Sequence, residues 1–579
     1  MKLVAIAVDY DGTLTLDGRL SRAMLDAIGR VRCRGIRLVL VTGRRLAHLA
    51  GDTDTAMFDA VVAENGAVVE FPATGRHLLL GSPVSEPFIG ELARRGVALS
   101  RGECLVETDA GAAGSVLEVL RALQQPYILA FNRQRLMVLP QGIAKSTGLR
   151  RAIFELGVSM HNTVGIGNAE NDHDLLAACE IGVAVEWSSP ALRAIADDVI
   201  AGQGPEAVAA YIDRISTQAR LPVGTARRHT VPLGHHLDGS AASLAIRGRT
   251  VIIAGEPGSG KSQLAGLLCE QFILQRYSLA ILDPEGDYRG LESLPNVTVA
   301  GGDDPAPAAR EVRHALRHPG DTLVVDLSHL SAAGKREYVR TMLPVLASER
   351  RRTGLPHKIV LDEAHQFLNG DAAALVDAEL GGYVWVTYRV SQLPAAVCPE
   401  DAVRIVTRES EPSEIEALSR LCGVALDSRV LAALSPAEAA LLPGPDEAHG
   451  DTVVVRTHER LTPHVRHRQK YFDAPVADAH AFVFTDRSPA LRVRSFSDMV
   501  ARLAEVPAAA LRAYCERHDV SRWVRDVFRD HVLAARLLEI ERRAREDDPR
   551  DVADALAQAI RARYEFCAEP ATPSTDSHE

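Results

Sequence analysis

Two acidic pairs, each at the end of an apolar run, are where this sequence could do chemistry. The first is Asp9-Tyr10-Asp11-Gly12-Thr13, which follows Leu3-Val4-Ala5-Ile6-Ala7-Val8. An apolar run of this kind reads as a buried strand, so both carboxylates fall at its end. That placement suits phosphoryl transfer. Asp9 can attack phosphorus and bind Mg²⁺, while Asp11 protonates the leaving oxygen and later activates water. Gly12 permits the sharp turn away from the sheet. The second pair is Asp362-Glu363, which closes His357-Lys358-Ile359-Val360-Leu361. Here Asp362 would hold a Mg²⁺ shell and Glu363 would polarise an attacking water.

The second pair has a partner upstream. The stretch Thr250–Leu264, TVIIAGEPGSGKSQL, fills the pattern G-x-x-x-x-G-K-[ST] with Gly255, Gly260, Lys261 and Ser262. Glycines, Gly258 among them, let backbone N–H groups turn inward around phosphate oxygens, and the next helix offers its positive N-terminus. Lys261 would neutralise the β- and γ-phosphates of ATP, and Ser262 would ligate Mg²⁺. Glu363 favours hydrolysis over transfer of phosphate to a second substrate. After the strand Tyr383–Thr387, Ser391 and Gln392 can contact the γ-phosphate or the water. Arg389 and Arg408 each follow an apolar strand and are candidates for an arginine supplied to a neighbouring subunit.

Three further pieces follow the first pair in order. Leu38-Val39-Leu40-Val41 leads into Thr42-Gly43-Arg44, Lys145 opens a helix at Ala144–Leu149, and Val164–Asp172 brings Asn168 and Asp172 as metal ligands. With these motifs, residues 1–212 resemble the haloacid dehalogenase (HAD) superfamily of phosphatases, in its Cof-type branch. The resemblance implies a Rossmann-like α/β domain with a small α/β cap at about 82–138. It implies Asp9 as the nucleophile that forms an aspartyl-phosphate, Asp11 as acid/base, Thr42 and Lys145 as phosphate binders, and Mg²⁺ held by Asp9, Asp11, Asn168 and Asp172. One position departs: the fourth motif usually begins Gly-Asp, and here it is Gly167-Asn168. An Asn carbonyl can still bind Mg²⁺ with less charge.

The stretch 230–445 is similar to the HerA/FtsK-like ATPases, particularly the HerA type. The likeness rests on Gly255–Ser262, Asp283-Pro284-Glu285-Gly286-Asp287-Tyr288, Asp362-Glu363 and Ser391-Gln392. It implies a P-loop α/β domain that self-associates as a ring, often a hexamer, and hydrolyses ATP between subunits, commonly to move DNA. The usual N-terminal barrel is replaced by the phosphatase-like unit. The strand Ser278–Leu282 is expected beside the cradle.

The elements that must position these groups divide the chain into an α/β HAD-like domain (1–215), a linker (216–230), a P-loop domain (231–455), a basic segment with a mostly helical domain (456–567) and a polar tail (568–579). In the helical part, His518–Ser521 is expected to form a turn and cap ahead of a helix at Trp523–Phe528. The 579 residues have an ordinary soluble composition and a net charge of −11, so polyanion binding would need a local basic patch such as His464–Tyr471. No apolar run is long enough for a membrane span. The eight cysteines are scattered without a C-x-x-C pair, which suits a reducing cytoplasm. Three functions fit. One is a bifunctional phosphatase and ATPase, with DNA or RNA as a possible partner. The others are a sugar or organic-acid phosphatase assembled or regulated by its ATPase, and a degenerate sensor of a phosphorylated ligand that gates it.

Overall fold

The computed structural model describes residues 1–132, 134–221, 228–444, 452–463, 472, 475–476, 478–485, 491–528, 530–544 and 548–564. The basic run 464–471 and the tail 568–579 lie outside the described residues. Among the described residues no helix is long and apolar enough to cross a membrane.

The first module is an eight-stranded sheet. In space its strands run Asp198–Ile200, Ile181–Val185, Thr163–Gly167, Ala5–Asp9, Arg37–Val41, Ala60–Ala63, Val68–Phe71 and Arg76–Leu79. The first six are parallel and the last two antiparallel. The parallel strands at its centre are buried along nearly their whole length, as expected where helices cover both faces. The order matters for chemistry: Ala5–Asp9 lies between Thr163–Gly167 and Arg37–Val41, so three motif-bearing carboxyl ends stand side by side. Between Arg76–Leu79 and Lys145 sits the cap, a four-stranded antiparallel sheet with helices Glu86–Arg94 and Ala113–Leu123. The cap has its own apolar core, Phe88, Leu92, Val116, Val119 and Leu136 among them.

The second module is an eleven-stranded sheet. Seven parallel strands run Val403–Val406, Val251–Ala254, Tyr383–Thr387, Lys358–Leu361, Leu279–Asp283, Thr322–Asp326 and Val297–Gly301. Antiparallel strands from Thr230–His236, Ala241–Ala245, Glu438–Leu441 and Val453–Thr457 extend one side. The strand that ends in Asp283 is therefore not beside the cradle strand. Tyr383–Thr387 and Lys358–Leu361 separate them, because long crossovers free the spatial order from the chain order.

The stretch read as a linker is tied down at its described ends. Leu221 is buried, Arg220 pairs with Asp401, and Arg228 pairs with Asp197. Beside it, the two modules share a buried polar joint. Glu180 accepts from His161 Nδ1 (2.7 Å) and Tyr277 OH (3.1 Å), and Arg247 Nε lies 3.3 Å away. His161 Nε2 meets the Gln275 carbonyl at 2.8 Å, and His357 Nε2 meets Asn162 Oδ1 at 3.0 Å. Burial alone would raise the pKa of Glu180; the His161 bond and the surrounding cations hold it well below the usual carboxylate range. His229 also approaches His161 and Glu180. Protons and an arginine already satisfy that carboxylate, so the cluster is an ion-paired joint.

The C-terminal module is mostly helical, with one hairpin, Phe482–Phe484 and Leu491–Val493. Trp523, Leu533 and Leu537 lie in its apolar core. The expected turn before Trp523 is instead helix. Asp519–Trp523 is helical and continues as a π turn, Val524–Phe528. The cause is remote: Glu541 accepts Val520 N, Ser521 N and the Ser521 hydroxyl, so a different helix supplies the cap.

Candidate functional site

Asp9 ends its strand with 4% of its surface exposed, and Lys145 and Asp172 are buried beside it. Lys145 Nζ donates to Asp9 Oδ1 at 2.5 Å and to Asp172 Oδ1 at 2.6 Å. One ammonium thus bridges two carboxylates that are 163 positions apart in sequence only because adjacent strands deliver them. Burial, then the Asp172 charge, raises the Asp9 pKa to about 7, with Lys145 opposing. Burial would lower that of Lys145, but Asp172 and Asp9 together hold it above the ordinary lysine range.

The other oxygen of Asp172 accepts Asn168 N (2.9 Å) and Ala169 N (2.8 Å), which folds the loop after Thr163–Gly167 back on itself. Gly167 is required there: an added Cβ would meet the Asp172 side chain at 2.6 Å. Asn168 is 6% exposed, and neither amide atom of its side chain has a partner. A buried carbonyl oxygen without a donor, on the residue whose N–H Asp172 accepts, fits a hard cation such as Mg²⁺.

Thr42 is buried at the adjoining strand end, and its hydroxyl accepts Arg44 N at 3.1 Å. Asp11 is held by a residue that sequence reading left without a role. Arg44 grips both of its oxygens, Nη2 to Oδ1 at 2.5 Å and Nε to Oδ2 at 2.7 Å, and its guanidinium lies 5.0 Å from the Tyr10 ring centre. The Asp11 carboxylate therefore faces Arg44 here.

In the second module the P-loop has the expected form. Gly255, Gly258 and Gly260 all have positive φ, and Gly260 precedes the helix Lys261–Leu274. A Cβ on Gly255 would meet Thr407 Oγ1 at 2.1 Å. Lys261 and Ser262 are buried at the helix start, and Lys261 Nζ folds onto the Glu256 carbonyl at 2.9 Å. Asp362 and Glu363 are buried two strands away. Glu363 has φ of 50°, and its carboxylate lies 3.7 Å from His365 Nδ1. A non-glycine residue held in the left-handed region at this place fits a constrained catalytic role.

Ser391 and Arg408 are each paired within their own chain. The Ser391 hydroxyl donates to Glu414 at 2.6 Å and is committed there, while Gln392 beside it is exposed on a 3₁₀ turn. Arg408 pairs with Glu256 of its own P-loop, whose carboxylate also accepts from Ser410 at 2.8 Å. Arg389 lies 5.9 Å from the Tyr388 ring centre. The Asp283 carboxylate folds the Pro-Glu-Gly-Asp-Tyr turn by accepting four backbone N–H groups, from Glu285 to Tyr288.

Comparison with known proteins finds a family match in each of the first two modules. The haloacid dehalogenase-like hydrolase family matches residues 6–87 and 103–212, and the central domain of helicase HerA matches residues 231–341. A phosphoglycolate phosphatase of Pyrobaculum neutrophilum is 31% identical over 206 residues, which cover 33% of this chain and 87% of that protein. The corresponding protein of Methanothermobacter thermautotrophicus is 29% identical over 226 residues, covering 36% of this chain and 97% of its own. Among solved structures, a haloacid dehalogenase-like hydrolase from Bacteroides thetaiotaomicron is 22% identical, with 37% of this chain and all of that chain covered and a TM-score of 0.34. The chain belongs, through its N-terminal module, to the haloacid dehalogenase-like hydrolases, and it joins to that module a HerA-type P-loop ATPase domain.

Proposed function

We propose that the chain is bifunctional, a Mg²⁺-dependent phosphate-monoester phosphatase in front and an ATPase behind. The observation that carries the phosphatase half is the Lys145 ammonium held between Asp9 and Asp172. It keeps Asp9 oriented at its strand end and offsets charge when a phosphate dianion arrives. Asp9 attacks phosphorus, the ester P–O bond breaks, and an aspartyl-phosphate forms. A proton from Asp11 goes to the leaving oxygen. Asp11 then takes a proton from water, whose oxygen displaces Asp9 and releases inorganic phosphate. Arg44 orients Asp11, and Thr42 binds a phosphoryl oxygen. Mg²⁺, held by Asp9, Asn168 and Asp172, would supply positive charge to the phosphoryl oxygens.

The two relatives described above are named phosphoglycolate phosphatases, which supports a small phosphorylated organic acid as substrate. In the ATPase half, Gly255, Gly258 and Gly260 shape the cradle and Lys261 and Ser262 meet the phosphates. Asp362 would hold a second Mg²⁺, and Glu363 would polarise water. The HerA match favours ring assembly and a nucleic-acid partner.

A substrate panel tests this. Orthophosphate release is measured from 2-phosphoglycolate, a sugar phosphate, p-nitrophenyl phosphate and a 5′-phosphorylated oligonucleotide, with Mg²⁺ or EDTA. Turnover of the small acid that is lost in EDTA and in Asp9→Asn supports the proposal. Turnover that survives Asp9→Asn contradicts it. Double-stranded DNA that raises ATP turnover supports the nucleic-acid partner, and indifference to every nucleic acid removes it.

A further inference from the structure

Glu64 is a buried carboxylate that no step above uses. It follows the strand Ala60–Ala63, is 1% exposed, and opens a turn in which Glu64, Asn65 and Gly66 all have positive φ (50°, 54° and 103°). Two adjacent non-glycine residues in the left-handed region are costly, so the surrounding structure must hold them there. On one side the turn grips the phosphate-binding loop: Glu64 N donates to the Arg44 carbonyl (2.9 Å) and Asn65 N to the Thr42 carbonyl (3.0 Å). On the other side its carboxylate reaches the cap. Glu103 N donates to Oε1 at 2.8 Å, and Cys104 N and Leu105 N donate to Oε2 at 2.8 and 3.1 Å.

Those three amides form the turn between cap strands Ser100–Arg101 and Val106–Asp109. The same turn is seated in the catalytic domain: Cys104 and Leu105, with Met137 and Leu139, pack in that domain's core and not in the cap's. Gly102 is fitted to this seat, since a Cβ there would lie 2.4 Å from Glu64 Oε1. Arg45 Nη1 adds a bond to the Arg101 carbonyl at 2.8 Å.

We propose that Glu64 is a positioning residue, the cleat on which the cap is registered against Thr42-Gly43-Arg44, and that it sets which phosphate esters the site accepts. Because one short turn touches both the phosphate loop and the cap, the cap's distance from the bound phosphoryl group is fixed. A fixed cap admits a small leaving group and excludes a bulky one. The inference rests on the phosphatase reading for its substrate selection, but not for the cleat.

Glu64→Ala removes all three acceptor bonds. Gly102→Ala, at a position without positive φ, pushes the turn off an intact Glu64 and serves if Glu64→Ala does not fold. Hydrogen–deuterium exchange at residues 103–105 reads the cleat directly. Kinetics with a small phosphorylated acid and with p-nitrophenyl phosphate read its consequence. The expected result is faster exchange at 103–105 in both variants and a KM for the small acid raised about tenfold. For p-nitrophenyl phosphate, whose leaving group is the bulkier, KM falls while kcat stays within about twofold of wild type, since Asp9 and Lys145 are untouched. Glu64→Gln, which keeps acceptance at one oxygen, falls between. Unchanged protection at 103–105 in both variants overturns the cleat. Raised exchange with an unchanged KM overturns its role in selection. If the wild type hydrolyses no ester, the phosphatase reading falls and the exchange arm still decides the cleat.

Discussion

Arg44 shows what a strand-end motif can and cannot say about a residue. Asp9, Lys145 and Asp172 are legible in sequence because each ends a strand or opens a helix, and such ends converge in a parallel sheet. Nothing in Thr42-Gly43-Arg44 names Asp11 as the partner of Arg44. That pairing comes from neighbouring strands and a planar guanidinium with two parallel bonds to give. Arg44→Lys keeps the charge and loses the fork, so kcat for ester hydrolysis should fall about tenfold with KM nearly unchanged. Steady-state kinetics check it, and a change confined to KM would place Arg44 on the substrate instead. Asn168 was legible as a departure from the motif, but that neither amide atom of its side chain finds a partner was not.

Lys358 carries a pH prediction at the same scale. Its ammonium is buried at the start of the strand that ends in Asp362 and donates to the carbonyls of Ile246 (2.8 Å) and Arg249 (3.0 Å). Burial, and then the charge of Arg350, lowers its pKa from 10.5 to about 7. Between those values the unfolded chain binds the extra proton, so stability rises with pH from about 7 toward 10. Urea midpoints measured from pH 7 to 9 should increase, and Lys358→Met should flatten that slope. An equal slope in both proteins would show that Lys358 keeps its proton when folded.

At the scale of elements, apolar runs such as Leu3–Val8 and Thr250–Ile253 marked strands well, because strands buried on both faces are apolar throughout. Their order was less legible. The Asp283 strand sits three places from the P-loop strand, since crossover helices carry the chain past its neighbours. Long-range caps were not legible either, as Glu541 shows. Glu270 is a second case. It lies fully buried on the P-loop helix Lys261–Leu274, and Arg460 Nε (3.1 Å), Leu461 N (2.8 Å) and Thr462 N (3.0 Å) converge on it. Gly266 makes room, because a Cβ there would lie 2.3 Å from Arg460. The segment leading toward the C-terminal module is thus strapped across the helix that carries Lys261. Glu270→Ala removes the buried carboxylate on which Arg460 Nε, Leu461 N and Thr462 N converge, which should cost about 3–5 kcal/mol. Thermal unfolding checks this, and a loss under about 1 kcal/mol would mean that the strap is relieved by solvent.

At the scale of the whole molecule, the division into a capped HAD-like module, a P-loop module and a small helical one was legible from motif order. The joint between the first two was not. Its members, His161, Glu180, Tyr277, Arg247 and His357, are dispersed single residues that only the assembled fold brings together. Glu180→Gln weakens the bonds from His161 and Arg247, so calorimetry should show the two modules melting in separate steps where the wild type melts in one. A single shared transition in the variant would mean that the remaining contacts hold the modules together without that charge.

The account stands on two pockets that work by separate residues, and a crossed pair of variants tests it most directly. Release of phosphate from a small phosphate ester and from ATP is measured for wild type, Asp9→Asn and Lys261→Ala. Asp9→Asn should lose ester hydrolysis by about a thousandfold or more and keep ATP turnover, and Lys261→Ala should do the reverse. Ester hydrolysis that persists in Asp9→Asn, or ATP turnover that persists in Lys261→Ala, would contradict it.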